Sequence, residues 1–338
     1  MTIRVAIIGA GTMGADHART LSAQVPGAAL QVVCDANAER AAAVAAETGA
    51  LGAASDPVEV IRRRDIDAVL IASPDATHGT LTREATSLGK PVLCEKPLAP
   101  TSRECLDVVV AEERGGRRLV QVGFMRRFDP AYVEMKAVLQ SGKLGQPLMF
   151  HCFHRNVAAP AFFDAQMAIT NSAPHEFDIA RWLLDAEYVA VTVFRPAAVS
   201  PDKVGSPVFM VVQTRKGQLV NIEINNNAAY GYDVRGELVG EHGSVSLRSP
   251  VRSELNVNLS QSTPYPADWR RRFEDAYRLE LQAWIRSISS GDPAGASAWD
   301  GYAATVIAEA AVASLAAGRA VPVSMPETPL LYRTVQFK

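Results

Sequence analysis

Ile3 to Ile8 is an almost unbroken apolar run that empties into Gly9-Ala10-Gly11-Thr12-Met13-Gly14. A strand apolar at every position must be covered on both faces, as happens in parallel sheets flanked by helices. The turn fits GxGxxG. Its first glycine permits a tight turn, its second lets backbone approach a pyrophosphate, and its third lets the next helix pack close to the strand. A helix opening at about Thr12 points its amino-terminal N–H groups, those of Thr12 and Met13 among them, at the phosphates. Glycine-rich turns are common, so the context carries the weight. A helical stretch to about Gln24 follows, and a second strand, Leu30 to Cys34, ends in Asp35. An acidic side chain about twenty residues beyond the glycines accepts hydrogen bonds from the adenosine ribose hydroxyls. It would also repel a 2′-phosphate, which favours NAD over NADP. Asp35 can equally be read as a cap for the helix that begins near Ala36-Asn37-Ala38.

The alternation continues. Asp67 to Ser73 reads as a strand, Thr77 to Leu88 as a helix and Pro91 to Cys94 as a strand. Thr101 to Arg114 reads as a helix and Leu119 to Phe124 as a strand. Repeated βα units predict a doubly wound parallel sheet, the Rossmann arrangement, over residues 1–123. Open sheets of this kind bind ligands at the carboxyl edge of their strands. Ser73 leaves one strand at that edge with His78 just beyond it, and Cys94 leaves another into Glu95-Lys96-Pro97. Ser73, His78, Glu95 and Lys96 are therefore candidate cofactor contacts, and Lys96 is also placed for chemistry. Taken singly, Ser73 and His78 would serve as turn and cap residues, and Glu95 and Lys96 as a solvated pair at a strand end.

After Phe124 the rhythm changes. Met125-Arg126-Arg127-Phe128-Asp129-Pro130 leads into a helix from about Ala131 to Ser141, and then strands dominate. They are Pro147 to Arg155, Tyr188 to Phe194, Val208 to Thr214, Leu219 to Asn225, Gly236 to Gly240 and Ser244 to Leu247. Many strands and few helices predict a second α/β domain, residues 124–338, on a large, mostly antiparallel open sheet. One face of that sheet is available to a partner subunit. Two helices, Phe273 to Ser287 and Trp299 to Leu315, close the chain.

The polar stretch of this domain is Asn171-Ser172-Ala173-Pro174-His175-Glu176-Phe177-Asp178. A helix from Pro174 to Leu184 puts His175 and Asp178 on one face, a turn apart. Asn171 lies four residues before His175, but a proline between them argues against one continuous helix. No metal site is expected. His175-Glu176 lacks the second histidine of HExxH, and His151 and His154 point to opposite faces of their strand.

Composition removes other classes of function. The chain has 34 basic and 36 acidic residues and a net charge of −2, which offers no surplus for nucleic acid or an anionic membrane. No apolar run reaches the roughly 18 residues of a membrane-spanning helix. The amino end runs straight into a strand, so no signal peptide is expected. The four cysteines form no CxxC pair, and three lie in apolar strand-like runs, so a cytoplasmic protein with reduced thiols is expected.

The combination of GAGTMG, LCEKP, VGFMRRFDP, FHRN, HEFD and AYGYD resembles the glucose–fructose oxidoreductase and inositol dehydrogenase family, and within it the inositol branch. The likeness spans nearly the whole chain. It implies NAD-dependent oxidation of an inositol ring hydroxyl, or of a related polyol or aldose, by a homotetramer. By this resemblance Lys96 bonds the reacting hydroxyl and His175 is the general base. Arg126, His154, Asp178 and Tyr232 would line the polyol pocket. Asn171 departs from the pattern, because the inositol branch carries aspartate there. An amide can still bond a hydroxyl or orient the imidazole, and the change opens the choice of substrate. A non-catalytic NAD-binding sensor is the rival from another class, and the presence of both Lys96 and His175 argues against it.

Overall fold

The computed structural model describes residues 2–196, 207–248 and 254–333. Its first strand, β1 (Ile3–Ile8), is followed by α1 (Thr12–Gln24), β2 (Ala28–Cys34), α2 (Ala38–Thr48), β3 (Gly52–Ala54) and α3 (Pro57–Arg62). Then come β4 (Ala68–Ile71), α4 (Asp75–Ser87), β5 (Val92–Cys94), α5 (Ser102–Gly115) and β6 (Val120–Val122). These strands form one sheet in the order β3-β2-β1-β4-β5-β6, and every neighbouring pair is parallel. The doubly wound Rossmann reading is therefore observed. Local chemistry marks the helix ends. Asn37 accepts from the Arg40 N–H to start α2, and Gly49 ends it in the left-handed region. Thr101 and Glu104 form a reciprocal capping box on α5, and Gly116 closes it. The short β3 and α3 lie in a stretch whose few apolar residues gave no periodic signal.

The chain forms two compact units. The first takes Met1–Phe128, then Asp275–Thr305, and the chain again from Met325. The returning segment belongs there because it completes a core. Leu281, Trp284 and Ile285 lie in one buried cluster with Val5, Ile7, Val33, Leu70 and Leu93. They come from α9 (Trp269–Ser290), which is kinked at Phe273, so the boundary between the units falls within this helix.

The second unit, Asp129–Glu274 with Val306–Ser324, is built on a seven-stranded sheet. It holds α6 (Pro130–Gln140), β7 (Pro147–Arg155), the short helical turn α7 (Ala165–Met167) and α8 (Pro174–Leu184). Strands β8 (Tyr188–Phe194), β9 (Val208–Thr214), β10 (Leu219–Asn225), β11 (Asp233–Gly240) and β12 (Gly243–Ser246) follow. A small hairpin, β13 (Leu255–Val257) and β14 (Ser260–Ser262), precedes α9. After it come α10 (Ala298–Ala317), which runs from the first unit into the second, and β15 (Val321–Pro322). The sheet order is β12-β11-β7-β10-β9-β8-β15, and β7 with β10 is its one parallel pair among the described residues. Burial alternates along its strands. Phe150, Cys152 and His154 of β7 are buried, whereas His151 and Phe153 on the other face are half-buried. That outer face keeps large apolar side chains in solvent, with Phe194 52% and Phe209 39% exposed.

Candidate active site

The first unit builds a nucleotide cradle at the carboxyl edge of β1. Gly9 has φ +98°, and a Cβ there would fall 2.4 Å from the Ala72 carbonyl oxygen. A Cβ on Gly14 would fall 1.8 Å from the Gly9 carbonyl oxygen. Around Gly11, by contrast, a Cβ would meet nothing within 4 Å. The two outer glycines are thus required by packing, and the middle one borders open space where a pyrophosphate can approach the backbone. Gly11 caps α1 without a side-chain bond, and the first turn has no acidic residue, so the Thr12 and Met13 N–H groups suit an anion. These residues fit a dinucleotide.

Asp35 stands beside the cradle. Its Oδ2 accepts from the Ala10 N–H at 2.7 Å and its Oδ1 from the Asn37 N–H at 2.8 Å. The helix-cap role belongs to Asn37. Asp35 fixes the glycine loop to the end of β2 and keeps further lone-pair positions for ribose hydroxyls. Arg40 Nη1 lies 3.7 Å from the same carboxylate.

The next two strand ends carry the remaining first-unit candidates. Ser73 Oγ lies 2.6 Å from Thr77 Oγ1. His78 is only 1% exposed, and both of its ring nitrogens face main-chain carbonyls: Nε2 that of Ser73 at 2.8 Å, Nδ1 that of Pro97 at 2.7 Å. No ring nitrogen is left over for a cofactor. Burial works against charge on this imidazole, but the Cys94 sulfur and the two carbonyls outweigh it and push His78 up to about 10. Glu95 is likewise buried. Its Oε1 lies 2.7 Å from His17 Nε2, and its Oε2 accepts from the Lys96 N–H at 3.2 Å. Burial raises this carboxyl, yet His17 and Lys96 prevail and hold it below the ordinary range. Glu95 is thus turned inward onto α1 and braces the Lys96 backbone. A Cβ on Gly123 would come within 3.0 Å of Glu95 Oε2, so that glycine makes room for the brace. Lys96, joined to Pro97 by a cis peptide, is half-buried at the carboxyl edge of β5. Arg126 follows β6 in a 3₁₀ turn, Met125–Phe128, and is 1% exposed.

The second unit gathers the rest. Pro174 occupies the first turn of α8, where its missing N–H costs nothing. Asn171 lies in a separate π-helical turn, Ala168–Ser172, so the proline does divide it from His175. His175 and Asp178 are both buried on α8. His154 faces this cluster from β7, with ring centroids 6.5 Å from His175 and 5.9 Å from Tyr232. Tyr232 in turn meets Phe273 edge-on at 6.5 Å. Glu176, which the sequence offered only as a failed zinc motif, is completely buried with its carboxylate 3.2 Å from His154 Nδ1. Its signal was an acidic residue on a helix face otherwise apolar. His17, the partner of Glu95, gave no signal beyond its place in α1. Among the described residues no group of three or more His, Cys, Asp or Glu is arranged to hold a metal ion.

A phosphate-binding turn after β1 of a Rossmann sheet, with a lysine at the carboxyl edge of β5, fits an NAD-binding oxidoreductase. The NAD-binding Rossmann domain of the Gfo/Idh/MocA oxidoreductase family matches residues 3–124, and that family's C-terminal alpha/beta domain matches residues 136–325. The chain belongs to this family. It is 48% identical over 337 residues to inositol 2-dehydrogenase 1 of Saccharopolyspora erythraea, covering 99% of this chain and 100% of that one. It is 41% identical to an inositol 2-dehydrogenase of Klebsiella pneumoniae, covering 98% and 100% of the two chains. The crystal structure of myo-inositol dehydrogenase from Lactobacillus casei, in complex with NAD(H) and myo-inositol, superposes with a TM-score of 0.94 at 32% identity. That match covers 98% of this chain and 100% of the other.

Proposed function

We propose that this protein is an NAD-dependent dehydrogenase that oxidises a ring hydroxyl of inositol, converting myo-inositol to 2-keto-myo-inositol. The observation that carries the reading is the near-half identity, end to end, with an inositol 2-dehydrogenase. Oxidation of a secondary alcohol removes the hydroxyl proton as hydride leaves the same carbon. NAD, when bound, accepts the hydride. His175 takes the proton, since an imidazole's ordinary pKa of about 6.5 suits that task near neutrality. Lys96, as a cation, stabilises the alkoxide character that develops on the oxygen. Arg126, His154, Asp178 and Tyr232 supply donors and acceptors for the other ring hydroxyls, and Asn171 bonds a hydroxyl or orients His175.

The half-exposed apolar face of the second sheet supports assembly into a homotetramer. The four cysteines are buried, in keeping with a reducing, cytoplasmic setting. Asn171 favours a second reading, a related polyol such as scyllo-inositol or a glucose-like sugar as the preferred substrate.

A panel assay of NADH production decides. It compares myo-inositol, scyllo-inositol, D-chiro-inositol, D-glucose and D-xylose, each with NAD and NADP. Dominance of myo-inositol with NAD is the expected result. Preference for another polyol transfers the assignment to it, and no turnover of any polyol sinks the enzymatic reading.

A further inference from the structure

His78 stands on the first turn of α4, and its ring spans two loops. One leaves β4 through Ser73 and the other leaves β5 through Lys96 and Pro97. Strands β4 and β5 stop pairing at Ile71 and Cys94. The imidazole supplies a tie beyond that point, to the Ser73 carbonyl at 2.8 Å and the Pro97 carbonyl at 2.7 Å. Both partners are acceptors only. A neutral imidazole has a single N–H and would turn a lone pair on one of those oxygens, whereas a doubly protonated ring donates to both. Charge-assisted hydrogen bonds are roughly twice as strong as neutral ones, and the ring is too buried for water to compete.

We propose that His78 is a positioning residue for Lys96: as a buried imidazolium it fastens the loop after β5, and the lysine with it, to the loop after β4. The ring's environment supports the charge, as its upward displacement to about 10 indicates. The link to Lys96 rests on the function proposed above, but the charge state of the ring does not.

The first measurement is nitrogen NMR on the full-length protein labelled at its six histidines, at pH 8. The His78 signals are assigned by contacts to Pro97 or by their loss in His78→Gln. An exposed imidazole is neutral at that pH, whereas His78 should show both nitrogens protonated. An unprotonated nitrogen would overturn the imidazolium. The second measurement compares myo-inositol turnover in His78→Gln and in Leu81→Ala, a buried apolar change on the same helix. At matched residual stability, His78→Gln should lose about tenfold more in kcat, the worth of one charge-assisted hydrogen bond. Its Kd for NAD should change less than its kcat. A loss no larger than that of Leu81→Ala overturns the positioning role. If the wild-type protein turns over no polyol, the failure belongs to the proposed function, and the NMR result still decides the charge on His78.

Discussion

Glu176 on α8 holds its carboxylate 3.2 Å from Nδ1 of His154 on β7, and both side chains are buried. A carboxylate at that nitrogen fixes the orientation of the imidazole ring. Glu176→Gln keeps the shape and removes the charge. It should lower kcat/KM for inositol by about 10- to 100-fold, the range for a hydrogen bond to a charged group. Most of the loss should fall on KM. Steady-state kinetics check this, and an unchanged KM would separate Glu176 from substrate recognition.

That pair also shows where sequence reading stops. The Rossmann half was legible because each cue is local: an apolar strand, three glycines, an acid after the second strand. Strand ends such as Cys94 to Lys96 could be placed because topology dictates which edge faces the ligand. Pairings between distant residues have no such cue. Glu176 meets His154 across 22 residues, and Glu95 meets His17 across 78. Nothing in the spacing of either pair forecasts the contact. The return of Leu281, Trp284 and Ile285 to the first core was hidden for the same reason, since an amphipathic helix does not declare which sheet it covers.

Asp35 and Arg40 together predict a change of cofactor preference. A ribose-binding carboxylate at this position would repel a 2′-phosphate, and a guanidinium already stands 3.7 Å from it. Asp35→Ser removes the repulsion and leaves Arg40 to meet the phosphate. The ratio of kcat/KM for NADP over NAD should rise about tenfold or more, the cost of a charged hydrogen bond being lost from the NAD side. Measuring both cofactors with one polyol checks it. An unchanged ratio would mean that selection lies elsewhere.

Cys34 predicts an alkaline weakness under the cofactor loop. Its carbonyl accepts from the Gly9 N–H at 2.7 Å, and its thiol is buried. Burial, with help from the Asp56 and Asp35 charges, pushes the thiol from its ordinary value near 9.0 up to about 11. The folded state therefore binds this proton more tightly than the unfolded chain does. Its contribution to stability is complete below pH 9 and is lost as pH rises towards 11. In Cys34→Ala the fall of unfolding free energy over that interval should be shallower, as denaturant titrations at several pH values would show. Equal slopes in the two proteins would mean that the Cys34 thiol titrates alike when folded and unfolded.

Lys96→Met separates chemistry from cofactor binding. The backbone at this position is braced independently of the ammonium, by Glu95 on the Lys96 N–H and by His78 on the next carbonyl. The cradle that holds the dinucleotide lies at β1 and β2, where the glycines and Asp35 are fixed by their own contacts. Methionine fills a similar volume without charge, so the loop should keep its course. In the proposed reaction Lys96 is a donor aimed at developing negative charge, and removing such a donor costs about 10²- to 10³-fold in kcat. NAD affinity, read by fluorescence titration, should stay within about tenfold of wild type, since at most one charged hydrogen bond to the ribose is lost. Wild-type turnover in this variant would take Lys96 out of the reaction. A collapse of NAD affinity with turnover would instead make it chiefly a cofactor ligand, and the stabilisation of the alkoxide would then fall to the other residues proposed for the pocket.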